Sequence, residues 1–142
     1  MSVSADTIIL TDQGYKSIRD LTLTNSATHN VWNGEKYTPA TFVRTGTNKQ
    51  LLQIDTAHGY TIRCTPYHNF ITINNNNDEV IVKAKNLTIG DRIQNTNIAG
   101  IDINYQYNSI SRIMTLSSLE DVYGINEPIL HRAVKNSIML YN

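Results

Sequence analysis

A chain of 142 residues is long enough for one buried core and too short for two full-sized domains, so we predict a single domain over residues 1–142. The 12 basic residues balance the 12 acidic ones, which argues against the strongly basic surface of a nucleic-acid-binding or membrane-surface protein. One cysteine excludes an internal disulfide, and the four histidines have no paired ligand spacing, so no metal is expected. We expect a soluble, cytoplasmic monomer, because the sequence has neither a long apolar run nor a basic, apolar leader.

Short runs of alternating apolar and polar residues recur along the chain, separated by turns rich in asparagine and glycine. The Asn33-Gly34 dipeptide suits a tight hairpin, because both residues tolerate positive φ. A helical turn is predicted at 17–21 and a further tight turn at 45–48. The predicted strands are 7–10, 31–32, 36–43, 51–56, 60–64, 70–73, 80–82, 92–93, 109–116, 121–125 and 137–140. Since no segment longer than about ten residues has strong helical periodicity, the predicted class is all-β.

Four segments contain the residues whose side chains could take part in a reaction. The first is SVSADT at 2–7, and the second is GYTIRCTPYHNF at 59–70. The third is VKAKNLTIGDRI at 82–93, and the fourth runs from residue 121 to Asn142. Taken in this order and spacing, they resemble the splicing motifs of a mini-intein of the Hint (Hedgehog/intein) superfamily. The part of the fourth segment around His131 is similar to the tails of inteins found in ribonucleotide reductases.

This resemblance implies a compact, pseudo-symmetric horseshoe of β-strands with both termini at a central active site. It implies protein splicing, in which the chain excises itself and ligates the flanking exteins of its own precursor. The steps would be an N-terminal acyl shift, a transesterification and a C-terminal asparagine cyclisation, in a single turnover without a cofactor. Residues 96–107 would form the loop where full-length inteins carry a homing endonuclease, so no endonuclease domain is expected.

The resemblance also implies a role for each matching residue. Ser2 would attack the preceding carbonyl, since the first residue of an intein is its nucleophile. His68 would protonate the released amine, a task that suits an imidazole. Thr65 would bind the distorted peptide or its oxyanion, and a tight turn across Pro66 would aim it in the same direction as His68.

At the other end, Asn142 would cyclise by attack of its side-chain nitrogen on its own carbonyl. Most inteins have a histidine at the preceding position, but this chain has Tyr141, so His131 is the predicted assistant. No cysteine, serine or threonine follows Asn142 as a second nucleophile. We therefore expect the sequence to represent an inactive or excised form.

Two further departures affect the first step. Ser2 takes the place of the usual cysteine, and a hydroxyl ionises far less readily than a thiol. Gly124 takes the place of the aspartate that usually follows the valine-tyrosine pair. The expectation is that Ser2 inactivates this copy.

Two alternatives remain open at this point. One is a Hint autoprocessing domain that only cleaves, as the Hedgehog C-terminal domain does. The other is a non-catalytic all-β binding module, in which the candidate site residues would be scattered over the fold. Cys64 is expected to pack as a small apolar residue. Packing is likewise the expectation for Trp32, Tyr37 and Phe42, because a stacking surface for nucleic acid would lie in a basic groove.

Overall fold

The computed structural model describes residues 2–24, 28–99 and 102–141, with side chains described outside 95–106 and 141. Within this part the architecture is all-β, as predicted. The strands are β1 Val3–Ser4, β2 Ile8–Thr11, β3 Gly14–Ser17, β4 His29–Trp32, β5 Tyr37–Thr56, β6 Thr61–Cys64, β7 Asn69–Ile73, β8 Glu79–Lys83, β9 Arg92–Ala99, β10 Asp102–Asn126, β11 Arg132–Lys135 and β12 Ile138–Tyr141. The helices are α1, Ile18–Leu23, and a 3-10 helix, Ala84–Asn86.

The described strands form one continuous, twisted sheet in the order β10-β1-β6-β5-β4-β2-β11-β12-β9-β7-β8, with β3 paired to β2. All the strand pairs are antiparallel, and the two long strands β5 and β10 pair along most of their length. Such a sheet must curl on itself, because strand twist accumulates from one strand to the next. The enclosed side chains form one main apolar cluster, which includes Val3, Ile54, Ile62, Phe70 and Leu140.

Both ends of the chain supply interior strands. The short strand β1 lies between β6 and β10, with Val3 opposite both Cys64 and Tyr123. The C-terminal strand β12 lies between β11 and β9 and also pairs with β7, where Leu140 is opposite Phe70. Because β6 and β7 are joined by a short connection, the two terminal strands flank the same turn.

Several sequence predictions agree with the structure. The predicted helical turn is α1, whose N-cap Ser17 accepts a hydrogen bond of 3.1 Å from the N–H of Asp20. The Asn33-Gly34 turn connects β4 to β5, and Gly34 has a φ of +108°. With six residues, α1 is too short to cross a bilayer, and no other described helix is long and apolar enough to do so.

Other predictions were wrong. The predicted turn at 45–48 lies inside β5. The pairing of β5 with β10 shifts in register around these residues, so the strand continues through them. Asn48 has a φ of +52°. The predicted strands at 109–116 and 121–125 are one strand, β10. The expected loop at 96–107 is mostly paired backbone, since residues 96–99 and 102–105 extend a β9–β10 hairpin. Strands β1, β3 and β11 were not predicted.

Candidate active site

The connection between β6 and β7 is a tight turn of four residues, Thr65 to His68. The N–H of His68 donates a 3.1 Å hydrogen bond to the carbonyl of Thr65, which closes the turn that the sequence predicted. Two further backbone bonds hold the turn against the 3-10 helix: Ala84 N–H donates to the His68 carbonyl at 2.8 Å, and Lys85 N–H donates to the Pro66 carbonyl at 2.9 Å. The turn is therefore fixed by its own hydrogen bond and by two bonds from the 3-10 helix.

Ser2 lies directly beside this turn and is 7% exposed. Its carbonyl accepts a 2.9 Å hydrogen bond from the N–H of Thr65 and a 3.4 Å bond from the Thr65 hydroxyl. Both donors of Thr65 thus bind the carbonyl on the C-terminal side of Ser2, as a continuation of the β1–β6 pairing. The carbonyl that would be attacked belongs to residue 1, which lies outside the described residues, so the oxyanion role of Thr65 stays a prediction.

Within the described part of the chain, the hydroxyl of Ser2 has one hydrogen-bond partner, which is another hydroxyl. Ser2 Oγ lies 2.5 Å from Thr45 Oγ1, and Thr45 Oγ1 donates to the carbonyl of Val122 at 3.3 Å. The Ser2 hydroxyl is therefore hydrogen-bonded to a neutral hydroxyl that also reaches a backbone carbonyl. A serine nucleophile needs an adjacent general base, and a neutral threonine hydroxyl is a very weak one. Among the described residues, the hydroxyl of Ser2 thus has no general base as a hydrogen-bond partner.

His68 is completely buried, packed edge-to-face against Phe70 with ring centroids 6.0 Å apart. Its Nδ1 atom has no hydrogen-bond partner among the described residues. Burial, and after it the positive charge of Lys135, hold the pKa of His68 well below its usual value. The imidazole is therefore neutral near pH 7, with one ring nitrogen available to a group that enters the site.

Lys135 was missed by the sequence analysis. It is 1% exposed, and its Nζ lies 3.4 Å from His68 Nε2, at the long end of the hydrogen-bonding range. Burial lowers the pKa of Lys135 to about 7, with the Cys64 sulfur acting in the opposite direction. A lysine in a short strand normally indicates an exposed face. The one sequence signal near it is the Asn136-Ser137 pair, which favours a hairpin turn directly after Lys135.

Cys64 packs in the main apolar cluster with no exposed surface, which confirms the packing prediction. Burial raises the pKa of its thiol to about 12, although Lys135 acts to lower it. The sulfur is therefore a thiol and not a thiolate at neutral pH, and thiols are poor nucleophiles. The aromatic prediction is also confirmed, since Trp32 and Tyr37 pair across β4 and β5 with ring centroids 5.2 Å apart.

The C-terminal candidates are more open. His131 is exposed and has a φ of +59°, in the loop between β10 and β11. It immediately precedes Arg132, which lies opposite Tyr141 in the β11–β12 hairpin. This register brings His131 to the end of the hairpin where the chain leaves β12. Asn142 itself lies outside the described residues, so its contact with His131 stays a prediction.

The site therefore unites Ser2, Thr65 and His68 beside the outgoing end of β12, which argues against a binding module with scattered site residues. The arrangement combines a hydroxyl next to a peptide bond, a neutral imidazole with a free nitrogen, and a path by which the two chain ends approach one turn. These are the components of an intramolecular acyl transfer. No cluster of three metal-ligating side chains occurs within the described residues.

Comparison with known proteins gives the same result at the level of sequence and fold. Residues 8–136 match the family described as "Intein splicing domain". A stretch of 73 residues is 40% identical to the ribonucleoside-diphosphate reductase large subunit of Invertebrate iridescent virus 6, covering 51% of this chain and 7% of that protein. The chain thus spans only a small part of that relative.

Two solved structures show how closely the fold is shared. The Ssp DnaB mini-intein variant M86 superposes with a TM-score of 0.84 at 20% identity, covering 99% of this chain and 92% of that one. The DnaB intein from Synechocystis sp. PCC 6803 superposes with a TM-score of 0.82 at 23% identity, covering 99% and 96% of the two chains. The motifs, the fold and the family match agree, and the chain belongs to the family of intein splicing domains, whose function is protein splicing.

Proposed function

We propose that this chain is the mini-intein of a ribonucleotide reductase large subunit and that it removes itself from that precursor by splicing, once its first residue can act as a nucleophile. The host assignment is supported by the 40% identity to a viral ribonucleotide reductase subunit. The observation that carries the proposal is the position of Ser2, whose backbone is bound by Thr65 while His68 presents an unpaired Nδ1 in the same buried site.

In the first step, Ser2 Oγ bonds to the carbonyl carbon of the preceding residue and the carbon–nitrogen bond breaks. The hydroxyl proton ends on the nitrogen of Ser2, with His68 as the group that delivers a proton there. The nucleophile of the residue after Asn142 then attacks this ester, so that the acyl group moves to it and the Ser2 hydroxyl is released. The side-chain nitrogen of Asn142 next attacks its own carbonyl, which forms a succinimide and breaks the peptide bond to the downstream flank. The amine freed on that flank then attacks the ester that joins the two flanks and forms the peptide bond between them.

The first of these steps is where this copy is disabled. The Ser2 hydroxyl is hydrogen-bonded to the neutral Thr45 hydroxyl, and no carboxylate or imidazole among the described residues is a hydrogen-bond partner of its Oγ. A cysteine in the same place would carry a more acidic and intrinsically more nucleophilic group. Replacing the hydroxyl oxygen of Ser2 by sulfur should therefore restore the N-terminal acyl shift without any other change to the site.

The test uses a precursor in which this domain separates two unrelated flanking proteins, with a cysteine after Asn142. Intact mass spectrometry compares the Ser2 form with Ser2→Cys. The proposal predicts a ligated flank product and a free domain from Ser2→Cys only. Separated flanks without a ligated product would indicate a cleavage-only domain, and an unreacted Ser2→Cys precursor would contradict the proposal. A Ser2 form that splices would show that the serine is a working nucleophile.

A further inference from the structure

A buried lysine lies against the buried histidine of the site, and neither the motifs nor the proposed splicing steps use it. Lys135 and His68 are both within the core, with 1% and 0% exposure. Their side chains meet at Nζ and Nε2, 3.4 Å apart. A buried lysine is costly unless it is paired, so its position beside a reacting group calls for a chemical explanation.

The fold holds Lys135 firmly in this position. The following residues Asn136 and Ser137 have φ values of +51° and +65° and form the tight turn of the β11–β12 hairpin. The Asn136 side chain accepts a 2.7 Å bond from Ile8 N–H and donates a 2.9 Å bond to the Thr61 carbonyl. The hairpin is thus fastened to both β2 and β6, and the ammonium group of Lys135 has little freedom to turn away from His68.

Two titratable groups face Lys135 from the elements packed against it: the imidazole of His68 and the thiol of Cys64. None of the ion pairs between described residues includes Lys135. The Cys64 thiol remains protonated, because burial raises its pKa to about 12. Lys135 therefore has one strong hydrogen-bond acceptor within the described structure, the Nε2 atom of His68.

An ammonium group has three donors and no acceptor, so Nε2 must accept from it and cannot carry a proton. The single proton of the neutral imidazole must then be on Nδ1. This is the nitrogen that has no partner among the described residues. The contact with Lys135 at one side of the ring therefore determines what the other side can do.

We propose that Lys135 is a positioning residue that holds His68 as the neutral tautomer protonated on Nδ1, so that Nδ1–H can donate to the nitrogen of the scissile peptide. The proposal deepens the proposed function and rests on it for the identity of the peptide that receives the hydrogen bond. It makes the tautomer depend on the charge of Lys135. When Lys135 is a neutral amine it can accept from Nε2–H, and the preference for the Nδ1–H tautomer is lost.

The first test needs no flanking protein and no variant. NMR of the chain labelled with ¹⁵N at histidine distinguishes the tautomers, because a protonated and an unprotonated ring nitrogen have widely separated resonances. Below pH 7, near which burial places the pKa of Lys135, His68 should be the Nδ1–H tautomer, and the Nε2–H form should grow above it. A predominantly Nε2–H tautomer below pH 7, or a tautomer ratio that does not change across pH 7, would overturn the proposal.

A variant then separates charge from packing. Lys135→Met keeps a chain of similar length without the charge, and His68 in it should show a tautomer ratio that is independent of pH. Lys36→Met removes an exposed lysine in the β4–β5 turn and should leave the ratio and its pH dependence as in the parent chain. A Lys135→Met spectrum identical to the parent's at every pH would contradict the proposal.

The second readout is N-terminal cleavage by an added thiol in a precursor with Ser2→Cys and Asn142→Ala. Lys135→Met should flatten the pH profile of cleavage and slow cleavage roughly tenfold, which is less than the loss expected for removing a general acid because the imidazole remains. If the parent precursor fails to cleave, the proposed function fails, while the NMR result still decides the role of Lys135. If the parent cleaves and Lys135→Met cleaves at the same rate with the same pH profile, the positioning role is wrong.

Discussion

At the N-terminal junction, Ser2 is nearly buried between two strands, and its backbone and side chain are both hydrogen-bonded. At the C-terminal junction, His131 is exposed in a left-handed loop conformation at the end of a hairpin. The first junction is held by interior strands and a hydrogen-bonded turn, whereas the residue proposed to assist the second lies in a loop. The rate of acyl transfer at the first junction should therefore depend on the reactivity of the nucleophile and the acid. The rate of cyclisation at the second junction should also depend on the conformation of the loop.

Removing the imidazole of His68 should have the largest effect, on the rate of cleavage at the N-terminal junction. In the Ser2→Cys precursor, His68→Gln should lower N-terminal cleavage by about 10² to 10⁴-fold, the usual contribution of a positioned general acid. His58→Gln is the matched control, because His58 is exposed in the β5–β6 turn. Mass spectrometry of thiol-treated precursor measures both. A loss of less than threefold on His68→Gln would show that the buried histidine takes no part in the first step.

Changing His131 should have a smaller effect, restricted to the other junction. His131→Asn removes the imidazole but keeps a residue type that tolerates a φ of +59°, so the loop geometry is preserved. Release of the C-terminal flank from the Ser2→Cys precursor should slow by about 10 to 100-fold, at the lower end of acid–base contributions for an exposed group. N-terminal cleavage in the same sample is the internal control and should not change. Slowing of both junctions together would mean that the variant disturbs the fold.

The buried charge of Lys135 should appear as a pH dependence of stability. Its pKa falls from 10.5 to about 7 on folding, so between these values the unfolded chain binds more protons than the folded one. The free energy of unfolding should therefore rise with pH from 7 towards 10.5, with the full cost of the charge present below pH 7. Lys135→Met should raise the free energy of unfolding at pH 6 by about 2 to 4 kcal/mol and remove this rise.

Denaturant unfolding at several pH values measures this effect, with Lys36→Met as the exposed control. His68 contributes with the same sign at lower pH, since burial depresses its pKa below 6.5; its contribution to the free energy of unfolding is lost as pH falls below 6.5. A free energy of unfolding for Lys135→Met that is lower than the parent's at pH 6 would contradict the assignment of a costly buried charge.

The smallest effect is expected at Cys64. Cys64→Ala should lower the free energy of unfolding by about 1 kcal/mol, because a small buried apolar group is lost. Cleavage at both junctions should keep its rate, since the thiol lies in the core as a packing residue. A large drop in N-terminal cleavage with an unchanged free energy of unfolding would instead give Cys64 a part in the chemistry.

The local parts of this structure could be predicted from the sequence. The Asn33-Gly34 turn, the helical turn at 17–21 and the Thr65 to His68 turn each depend on residues that are close together in the chain. Strand β1 could not be predicted in this way, because two residues form a strand only through partners at positions 64 and 122–123. The long strand β5 was divided in the prediction, since a turn-like sequence was accommodated by matching irregularities in β10.

The same distinction applies to the site. Ser2, Thr65 and His68 belong to recognisable motifs, and their spacing in the sequence is enough to nominate them. Thr45 lies outside the four motif segments, and Lys135 lies within the fourth at a position to which the resemblance assigns no role; β5 and β11 bring them to the site. Thr45 hydrogen-bonds the Ser2 hydroxyl, and Lys135 lowers the pKa of His68 through its charge, an effect that depends on distance and burial. These quantities require the folded structure.

Thiol cleavage at the first junction, with the second junction blocked, shows whether the hydroxyl of Ser2 alone limits the first step. A precursor with Asn142→Ala is made with Ser2 and with Ser2→Cys, and thiol-induced release of the N-terminal flank is followed by mass spectrometry. We expect release to be at least about 100-fold faster from Ser2→Cys, because the thiol is a stronger nucleophile than the hydroxyl in the same site. Equal and negligible release from both forms would contradict it, since the defect would then lie in the site and not in the hydroxyl of Ser2.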